Sequence, residues 1–452
     1  MSNQTFVKGF RTKAAYYPES TFGTFAVTDV KAQRVGGKVR GVNWNARQNI
    51  LQTGNVGDGR NYKQQILGQY DASASMTIEV CDFSFLRFGV GDVGKWDNDG
   101  TEEVKPWFLV ESELSGITST VGNRTALRGT NVSSYAGVRT RPFSLLLYDM
   151  ENVSGGSTFN DSVDMLNGCM ISDFNISSSI GTPLMCNVNM VVREVAYRRF
   201  LPAGSVPDFT STTAFSDDYG LGCATMTPKG SQYVSDNVPL MFYNGGVYVD
   251  GKLLGQVQSF NYSWNNSLLT YREIGSRFIV LPQTGMRRQT LSMNVVFRLP
   301  AGDGSPSTDT TTILELIKNY LGYASTATFN TGTTLRPALA TNSQATSPQI
   351  SKPIEKTEIK LKFTGNDNSG AERGATINVY NAAIEGFGVP VTLESGLIEI
   401  PITCSVRGFP YNRIGDGSYN GYDPTGTLDT TSPGVANSRY KPTFMWWQTI
   451  VN

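Results

Sequence analysis

The chain contains two related halves, and this duplication constrains its fold more than any other feature. Four strand-like segments of the first half recur in the second half in the same order. The matched segments are 37–45 with 255–263, 76–80 with 291–295, 171–174 with 384–387, and 188–193 with 402–407. Their separation changes only from 218 residues at the first pair to 213 at the third, which chance matches would not maintain. The repeat predicts two copies of one structural unit and an internal pseudo-symmetry.

Alternation of apolar and polar residues predicts that the matched segments are strands. The apolar residues share one face in both copies: Met76, Ile78 and Val80 in the first, Leu291, Met293 and Val295 in the second. Clusters of Gly, Asn, Asp and Ser separate such segments. The sequence therefore predicts a mainly β fold of two tandem β-barrel or β-sandwich domains, each with one short helix and a long hairpin loop.

The repeat also predicts how the chain divides into domains. Its 452 residues leave room for two units and for connecting segments. We expect an N-terminal arm (1–36), a first domain (37–200), a linker (201–240), a second domain (241–408) and a C-terminal tail (409–452).

Helical spacing of apolar residues occurs once in each copy. Residues 311–321 predict a helix that ends before Gly322. Residues 82–88 predict a shorter helix closed by Gly89, which an irregular stretch follows over about 93–141.

Two long segments lie at equivalent places in the copies, between the first two matched strands. These segments are 46–74 and 265–289. Loops of this length are unusual in a compact domain and are often functional. We interpret both as hairpin extensions that reach out of their domains.

The polar tail ends in aromatic residues. Phe444, Trp446 and Trp447 follow a stretch rich in Gly, Asn, Asp, Thr and Pro. Such a group is typical of a segment that docks on another surface. The sequence leaves two choices open, the chain's own core or a neighbouring subunit.

The composition argues against most enzyme classes. The chain has no histidine, which removes the usual general base and the commonest metal ligand. We expect no enzymatic activity, no metal and no cofactor. Lys plus Arg equal Asp plus Glu at 38 each, and this balance argues against a dedicated nucleic-acid binder.

The five cysteines do not form a recognisable motif. No pair is spaced as CxxC, and four of the five lie in or beside apolar strand-like runs. We expect small buried side chains and folding in a reducing compartment. The sequence begins without a signal-peptide pattern and contains no apolar run of the about 20 residues that a membrane span needs, so no membrane association is expected.

The repeated unit resembles the tail tube domain of tailed bacteriophages. The pattern is Gly-x-Val-x-x-x-Asn before a long hairpin loop, an alternating return strand, a helix and a closing pair of strands. The passages most similar to that family are 258–267, 273–277 and the closing pair 383–387 and 397–402. The resemblance covers about 37–200 and 255–407.

The resemblance implies a structural subunit of a phage tail. Single-domain members form hexameric rings that stack into a tube around a DNA-conducting lumen. In a rarer, two-domain variety, three duplicated chains close a pseudo-hexameric ring. The implied partners are other copies of the chain, the tape measure protein and genomic DNA in the lumen, and tail terminator and baseplate or tip proteins. The implied location is the virion tail, after assembly in the host cytoplasm.

The resemblance also suggests which residues make the assembly contacts. Candidates for contacts between rings are Asn55, Asp58, Arg60, Arg272, Glu273 and Arg277. Candidates for the lumen are the polar-face residues Thr77, Glu79, Ser292, Asn294, Asn189 and Thr403. These polar faces could equally face the outside solvent. Arg193 and Arg407 on the same strands would fit a DNA-conducting lumen better if each were paired with a carboxylate.

A second functional class is the alternative. A β-rich receptor-binding or glycan-binding surface protein with two sandwich domains would expose aromatic residues in a groove and form a discrete monomer or trimer. The paired long hairpin loops favour the tube, because ring stacking explains them and a binding module does not.

Overall fold

The computed structural model describes residues 12–19, 22–23, 33–35, 37–53, 64–81, 83–96, 107–111, 120–121, 124–127, 142–149, 162–199, 239–249, 252–254, 257–297, 357–366, 372–388, 398–406 and 444–449. Over these residues the protein is mainly β, as predicted. Residues 201–238 of the expected linker and the expected helix at 311–321 lie outside the described residues.

Twelve of the described strands lie before the expected linker. They are β1 (Thr12–Pro18), β2 (Gln33–Arg34), β3 (Gly37–Thr53), β4 (Gln64–Val80), β5 (Gly91–Trp96), β6 (Trp107–Glu111), β7 (Thr120–Val121), β8 (Arg124–Leu127), β9 (Phe143–Asp149), β10 (Ser162–Ser179), β11 (Met185–Val192) and β12 (Glu194–Arg199).

Ten further described strands follow. They are β13 (Met241–Val249), β14 (Lys252–Leu254), β15 (Val257–Asn265), β16 (Leu268–Leu269), β17 (Gln283–Thr284), β18 (Arg288–Phe297), β19 (Thr357–Asn366), β20 (Glu372–Phe387), β21 (Ile398–Val406) and β22 (Phe444–Thr449).

The same pairing order occurs in both halves. In the first half the order is β3–β4–β11–β10, and in the second it is β15–β18–β21–β20. The flanking strands also correspond, because β1, β2 and β9 are arranged around β10 as β13, β14 and β19 are around β20. Two β-bulges recur at equivalent places, one in β3 and β15 and one in β10 and β20.

One of the four sequence alignments is wrong by two residues. Met76 lies opposite Val42 on β3, and its structural counterpart opposite Phe260 on β15 is Met293 rather than Leu291. Side chains in a strand repeat their direction every two residues, so a shift by two keeps every apolar residue on the same face. The sequence pattern alone therefore could not detect the error.

The two halves join into one eight-stranded sheet. β10 of the first half pairs with β15 of the second, from Asp173 opposite Asn265 to Ser179 opposite Ser259. The strand network as a whole is barrel-like. Within the described residues, however, β3 at one end of the eight-stranded order pairs only with β4.

The core lies on one face of this sheet. From β4 to β21 the inward side chains include a row of buried residues, Ile78, Cys186, Ile176, Tyr262, Leu291 and Cys404. These residues are cross-strand neighbours, so one continuous apolar layer runs beneath both repeats. The opposite face carries the alternating polar residues.

The helix expected in the first copy is present but is placed differently. A 3-10 turn at Ser84–Leu86 is followed by one α-helical turn, α1 (Arg87–Val90). Gly89 lies inside this turn rather than closing it. A Cβ at Gly89 would come within 3.1 Å of Ile171 and 3.3 Å of Phe174, so the glycine permits close packing against β10. The stretch expected to be irregular contains β5 to β8, so that expectation was wrong.

The two long segments have different structures. In the first half, β3 and β4 continue as a two-stranded ribbon from Arg47 opposite Asp71 to Thr53 opposite Gln64. In the second half, residues 266–287 contain only the short pair β16–β17 and turn back onto the first half. The prediction of a projecting hairpin was therefore wrong for the second copy.

The C-terminal strand belongs to the sheet of its own chain. β22 pairs with β20 on one side and with β6 on the other. Its position on β20 corresponds to that of β12 on β10. No helix in the described part of the chain is long and apolar enough to cross a membrane.

Candidate functional site

One face of the eight-stranded sheet carries Asn, Ser and Thr side chains across both repeats. Its middle row follows the cross-strand register through Thr77, Asn187, Asn175, Ser263, Thr290 and Ser405. Thr77 Oγ1 donates to Asn187 Oδ1 at 2.8 Å, and Asn187 Nδ2 donates to Asn175 Oδ1 at 3.1 Å. These bonds order the polar groups, and the row has no formal charge. We call this surface the polar face.

Charged groups lie towards the two ends of the polar face. On one side of the middle row, Asp173 accepts a 2.6 Å hydrogen bond from Asn189 Nδ2. On the other side, Arg40 forms an ion pair with Glu79. The middle of the face can therefore interact with water or a polar polymer without holding an ion strongly.

The structure brings the six suggested lumen residues to this one face. Thr77 and Asn189 lie in the first repeat, and Ser292, Asn294 and Thr403 in the second. Glu79 differs from the others because it is buried beneath Arg40. That these residues line a lumen stays a prediction.

The edge strand β3 leaves its core-facing side chains partly uncovered. Trp44 is 41% exposed, whereas its counterpart Tyr262 on β15 is fully buried. Val42 and Ala46 are likewise only partly buried, although Phe260 and Trp264 at the equivalent places of β15 are buried. The difference follows from the neighbours, since β10 covers the edge of β15 and no described strand covers the edge of β3.

At the other end of the eight-stranded order, part of β20 also lacks a described neighbour on its outer edge. The last two residues of β20, Gly386 and Phe387, and the following Gly388 correspond to Asp173–Asn175, the start of the part of β10 that pairs with β15. Within the described residues, the end of β20 has β21 as its only strand neighbour. Among the described strands, the sheet thus has two uncovered edges, one on β3 and one at the end of β20. The strands equivalent to these two, β15 and β10, pair with each other at the centre of the same chain.

Two of the residues suggested for contacts between rings bind within the subunit. Arg272 forms an ion pair with Asp71, and Arg277 Nε donates to the carbonyl of Gly68 at 3.0 Å. Glu273 is exposed. Asn55, Asp58 and Arg60 lie outside the described residues. The contacts of Arg272 and Arg277 join regions about 200 positions apart, and no local sequence signal could have identified them.

The aromatic tail residues lie on β22. Phe444, Trp446 and Trp447 take register positions opposite Asn378, Thr376 and Ala375 of β20. The backbone of this segment thus pairs with its own chain. The surface that their side chains contact stays a prediction.

A buried carboxylate ties the N-terminal strand to the first repeat. Glu19 accepts hydrogen bonds from Ser144 Oγ at 2.6 Å, from Gly168 N at 2.7 Å and from Gly23 N at 2.6 Å. Burial raises the pKa of Glu19, and the three donors and the nearby Arg193 oppose that rise. Sequence analysis missed this cluster, although it anticipated a carboxylate beside Arg193.

Two glycines make the Glu19 cluster possible. Gly23 and Gly168 have positive φ angles of 70° and 63°. A Cβ on either would overlap the side chain of Arg193, which donates to the carbonyls of Phe22 and Gly23 at 3.2 and 3.1 Å. Substituting either glycine would therefore combine backbone strain with a clash.

Nucleophilic chemistry is not supported by the described cysteines. Cys81, Cys169, Cys186 and Cys404 are buried and free, and Cys223 lies outside the described residues. Burial raises the pKa of the Cys404 thiol to about 12 and holds that of Cys169 well above its usual range. In the described part of the chain, no group of three or more potential ligands could hold a metal ion.

Comparison of the sequence with models of known protein families identifies the family of the chain. The family model of the phage tail tube protein matches residues 9–406 of the 452. The chain belongs to the phage tail tube protein family. No curated protein matches its sequence.

Membership of this family determines the class of function. A tail tube protein is a structural protein of the phage tail and not an enzyme. It assembles with other copies of itself into a tube and is located in the virion tail. The uncovered edges and the polar face of this tail tube protein are accordingly candidate assembly surfaces.

Proposed function

We propose that three copies of the chain close a pseudo-hexameric ring, and that rings stack into a tube around a DNA-conducting lumen. In this ring the free end of β20 in one subunit pairs with the free edge of β3 in the next. The polar face then lines the lumen, and the apolar core layer lies outside it. Each chain contributes two of the six repeats.

The observation that carries this proposal is the contrast between Trp44 and Tyr262. The two residues occupy equivalent places, but only Tyr262 lies on a strand whose edge is covered, and only Tyr262 is buried. A neighbouring subunit whose strand pairs with β3, as β10 pairs with β15, would bury Trp44. Such a contact joins two different edges, and repeating it by rotation gives a ring. Ring closure also removes the exposed sheet edge, which would otherwise promote uncontrolled association.

The strand count favours three chains. Three times eight strands at about 4.8 Å each give a circumference of at least about 115 Å, or about 37 Å between opposite backbones. A ring of two chains would have the strand number of a porin, whose channel is narrower. The three-chain ring leaves space for duplex DNA after side chains are added.

The polar face suits a surface that DNA passes. Each phosphate neutralised by a protein cation adds to affinity, so a cationic lining would retain DNA. The uncharged middle row of Asn, Ser and Thr avoids that attraction and stays hydrated. The tape measure protein would occupy the same lumen before DNA, and tail terminator and baseplate or tip proteins would cover the ends of the tube.

Negative-stain electron microscopy of the purified protein tests this function. Rings with a central hole and six densities, stacked into tubes, are expected, and mass per length should correspond to three chains per ring. Discrete particles without a hole, even at high protein concentration and with a tail initiator complex present, would contradict the proposal. They would favour a receptor- or glycan-binding protein instead.

A further inference from the structure

The ribbon formed by the ends of β3 and β4 extends beyond the rest of the sheet. β11 accompanies β4 only as far as Ala72, and from Asp71 to Gln64 the described partner of β4 is β3 alone. We call residues 47–53 and 64–71 the arm. An isolated two-stranded ribbon is only marginally stable in water, so the arm needs support from elsewhere.

The arm exposes apolar residues on both of its faces. Ile50 pairs with Leu67 on one face, Leu51 pairs with Ile66 on the other, and all four are at least half exposed. Exposed apolar pairs on both sides of a ribbon are typical of a segment that inserts into a partner. The opposite end of the sheet exposes Ile180 in the β10–β11 turn and Leu253 in β14, which offers an apolar surface to an arm arriving from a stacked copy.

Residues 266–287 of the second repeat hold the base of the arm. Arg272 binds Asp71 and donates to the carbonyl of Tyr70 at 3.2 Å. The amide of Tyr70 donates to the carbonyl of Arg277 at 3.1 Å, and the ring of Phe278 lies 5.4 Å from that of Tyr70. We call this segment the brace. The contacts between the brace and the arm that are described above fall on Gly68–Asp71, where the arm leaves the sheet.

The brace is anchored to the first repeat at its other end. Asn266 N donates to the carbonyl of Ser172 at 2.8 Å, and Asn266 Nδ2 donates to the carbonyl of Ile171 at 3.0 Å. The brace thus connects β10 to the arm across the end of the sheet. It thereby ties the base of the arm to a strand of the core, because Ile171 of β10 is buried.

We propose that the two equivalent hairpins have taken different tasks: the arm makes the apolar contact with a copy in the next ring, and the brace fixes the direction of the arm from within its own subunit. A ring of three chains then presents three arms rather than six. The proposal rests on the proposed function for the ring, but it makes a separate statement about stacking. Arg272 and Arg277 act as positioning residues and do not touch the next ring.

Three variants of the full chain test this division. The brace variant is Arg272→Ala with Arg277→Ala, the arm variant is Ile50→Ser with Leu67→Ser, and the control is Gln283→Ala, an exposed position in the brace. We expect single rings of unchanged mass from the brace and arm variants, and wild-type tubes from the control. Normal tubes from the brace variant, or a control as defective as the brace variant, would overturn the proposal.

Hydrogen exchange separates a positioning role from general destabilisation. In the brace variant, amides of the arm should exchange about tenfold faster, while those of β10 and β11 keep their protection. Equal loosening of the whole sheet would contradict the proposal. If the wild-type chain forms no rings, the proposed function fails, and exchange at the arm still tests whether the brace holds it.

Discussion

The ring of Phe174 stacks on the indole of Trp264 across the junction of the two repeats, with centroids 5.7 Å apart and planes inclined by 13°. Both side chains are buried, and Trp264 Nε1 donates to Asn266 Oδ1 at 2.9 Å. At the proposed junction between subunits, the equivalent positions are Phe387 and Ala46. The junction between the repeats therefore contains two large buried aromatic side chains. At the proposed junction between subunits, β3 contributes only the small side chain of Ala46 in place of Trp264.

Substitutions at the two junctions should have different effects. Trp264→Ala removes a large buried side chain and should lower the free energy of unfolding by about 3–5 kcal/mol. Trp44→Ser changes a half-exposed side chain, so we expect a folded subunit that does not close rings. Circular dichroism during urea unfolding measures the first effect, and sedimentation velocity measures the second. Rings of normal mass from Trp44→Ser would argue against the β3 edge as an interface.

The internal junction predicts the register of the junction between subunits. Asn175 lies opposite Ser263, and the equivalent positions are Gly388, directly after β20, and Asn45 on β3. Opposed residues in an antiparallel pair have Cα atoms about 4.5–5.5 Å apart, which a disulfide can bridge. Asn45→Cys with Gly388→Cys should therefore give covalent trimers on oxidation.

A shifted pair provides the control for this register. Asn43→Cys with Gly388→Cys places the thiols two residues out of register, beyond the about 7 Å limit on Cα separation for a disulfide. Non-reducing electrophoresis should show dimers and trimers only for the matched pair. Equal cross-linking by both pairs would mean that the edges meet in another register or only by collision.

Much of the fold could be predicted because it depends on local pattern. Alternation identified the strands of the eight-stranded sheet, and the repeat identified their order in the chain. The β10–β15 junction was not predicted, because pairing between repeats leaves no periodic signal. One clue was present: at two of three equivalent positions, β15 has the larger side chain, with Phe260 and Trp264 where β3 has Val42 and Ala46.

The brace illustrates what the sequence could not provide. Segment 265–289 looked equivalent to 46–74 by position, and position alone predicted the same role. Its actual role depends on Arg272, Arg277 and Phe278 meeting a strand about 200 residues away. Contacts over such a separation are set by the tertiary fold, not by local propensity.

The Glu19 cluster should make stability depend on pH. Burial raises the pKa of Glu19 above its ordinary value of 4.5, so the folded protein holds the proton more tightly than the unfolded chain. The stability due to this carboxyl is present at low pH and is lost as pH rises through the folded pKa. Compared with Glu19→Gln, the wild type should therefore lose relative stability as pH rises from 4.5.

Urea unfolding at several pH values measures this difference. Both proteins should also carry Trp44→Ser, which is expected to keep the subunit unassembled. Ser144→Ala provides a control, because it removes one hydrogen-bond donor to Glu19 but leaves the carboxyl itself in place. If the stability of the wild type relative to Glu19→Gln instead grows with pH, the three donors and Arg193 lower the pKa of Glu19 by more than burial raises it. Glu19→Ala should cost about 1–3 kcal/mol at pH 4.5, because it leaves buried donors without an acceptor. By the same linkage, this cost should fall as pH rises.

The described thiols should be inert in the native protein. Cys81, Cys169, Cys186 and Cys404 are buried, and burial raises the pKa of Cys404 to about 12, so almost no thiolate forms near neutral pH. A Cys223→Ser variant should incorporate no maleimide when native and four equivalents in denaturant, as measured by mass spectrometry. Labelling of the native variant would show that the sheet opens locally.

Positive charge in the middle row of the polar face should convert a passive surface into one that retains DNA. Asn187→Lys on β11 and Thr290→Lys on β18 add one cation to each repeat, and both positions belong to the middle row. Because each contacted phosphate releases a counterion, binding of a short duplex to open-ended tubes should strengthen and fall steeply with salt. Tyr197→Lys, at an exposed position on β12 outside the eight-stranded sheet, is the control. Co-sedimentation of labelled DNA over a salt series measures the effect, and equal binding by control and lining variants would show that the polar face lies on the outside of the tube.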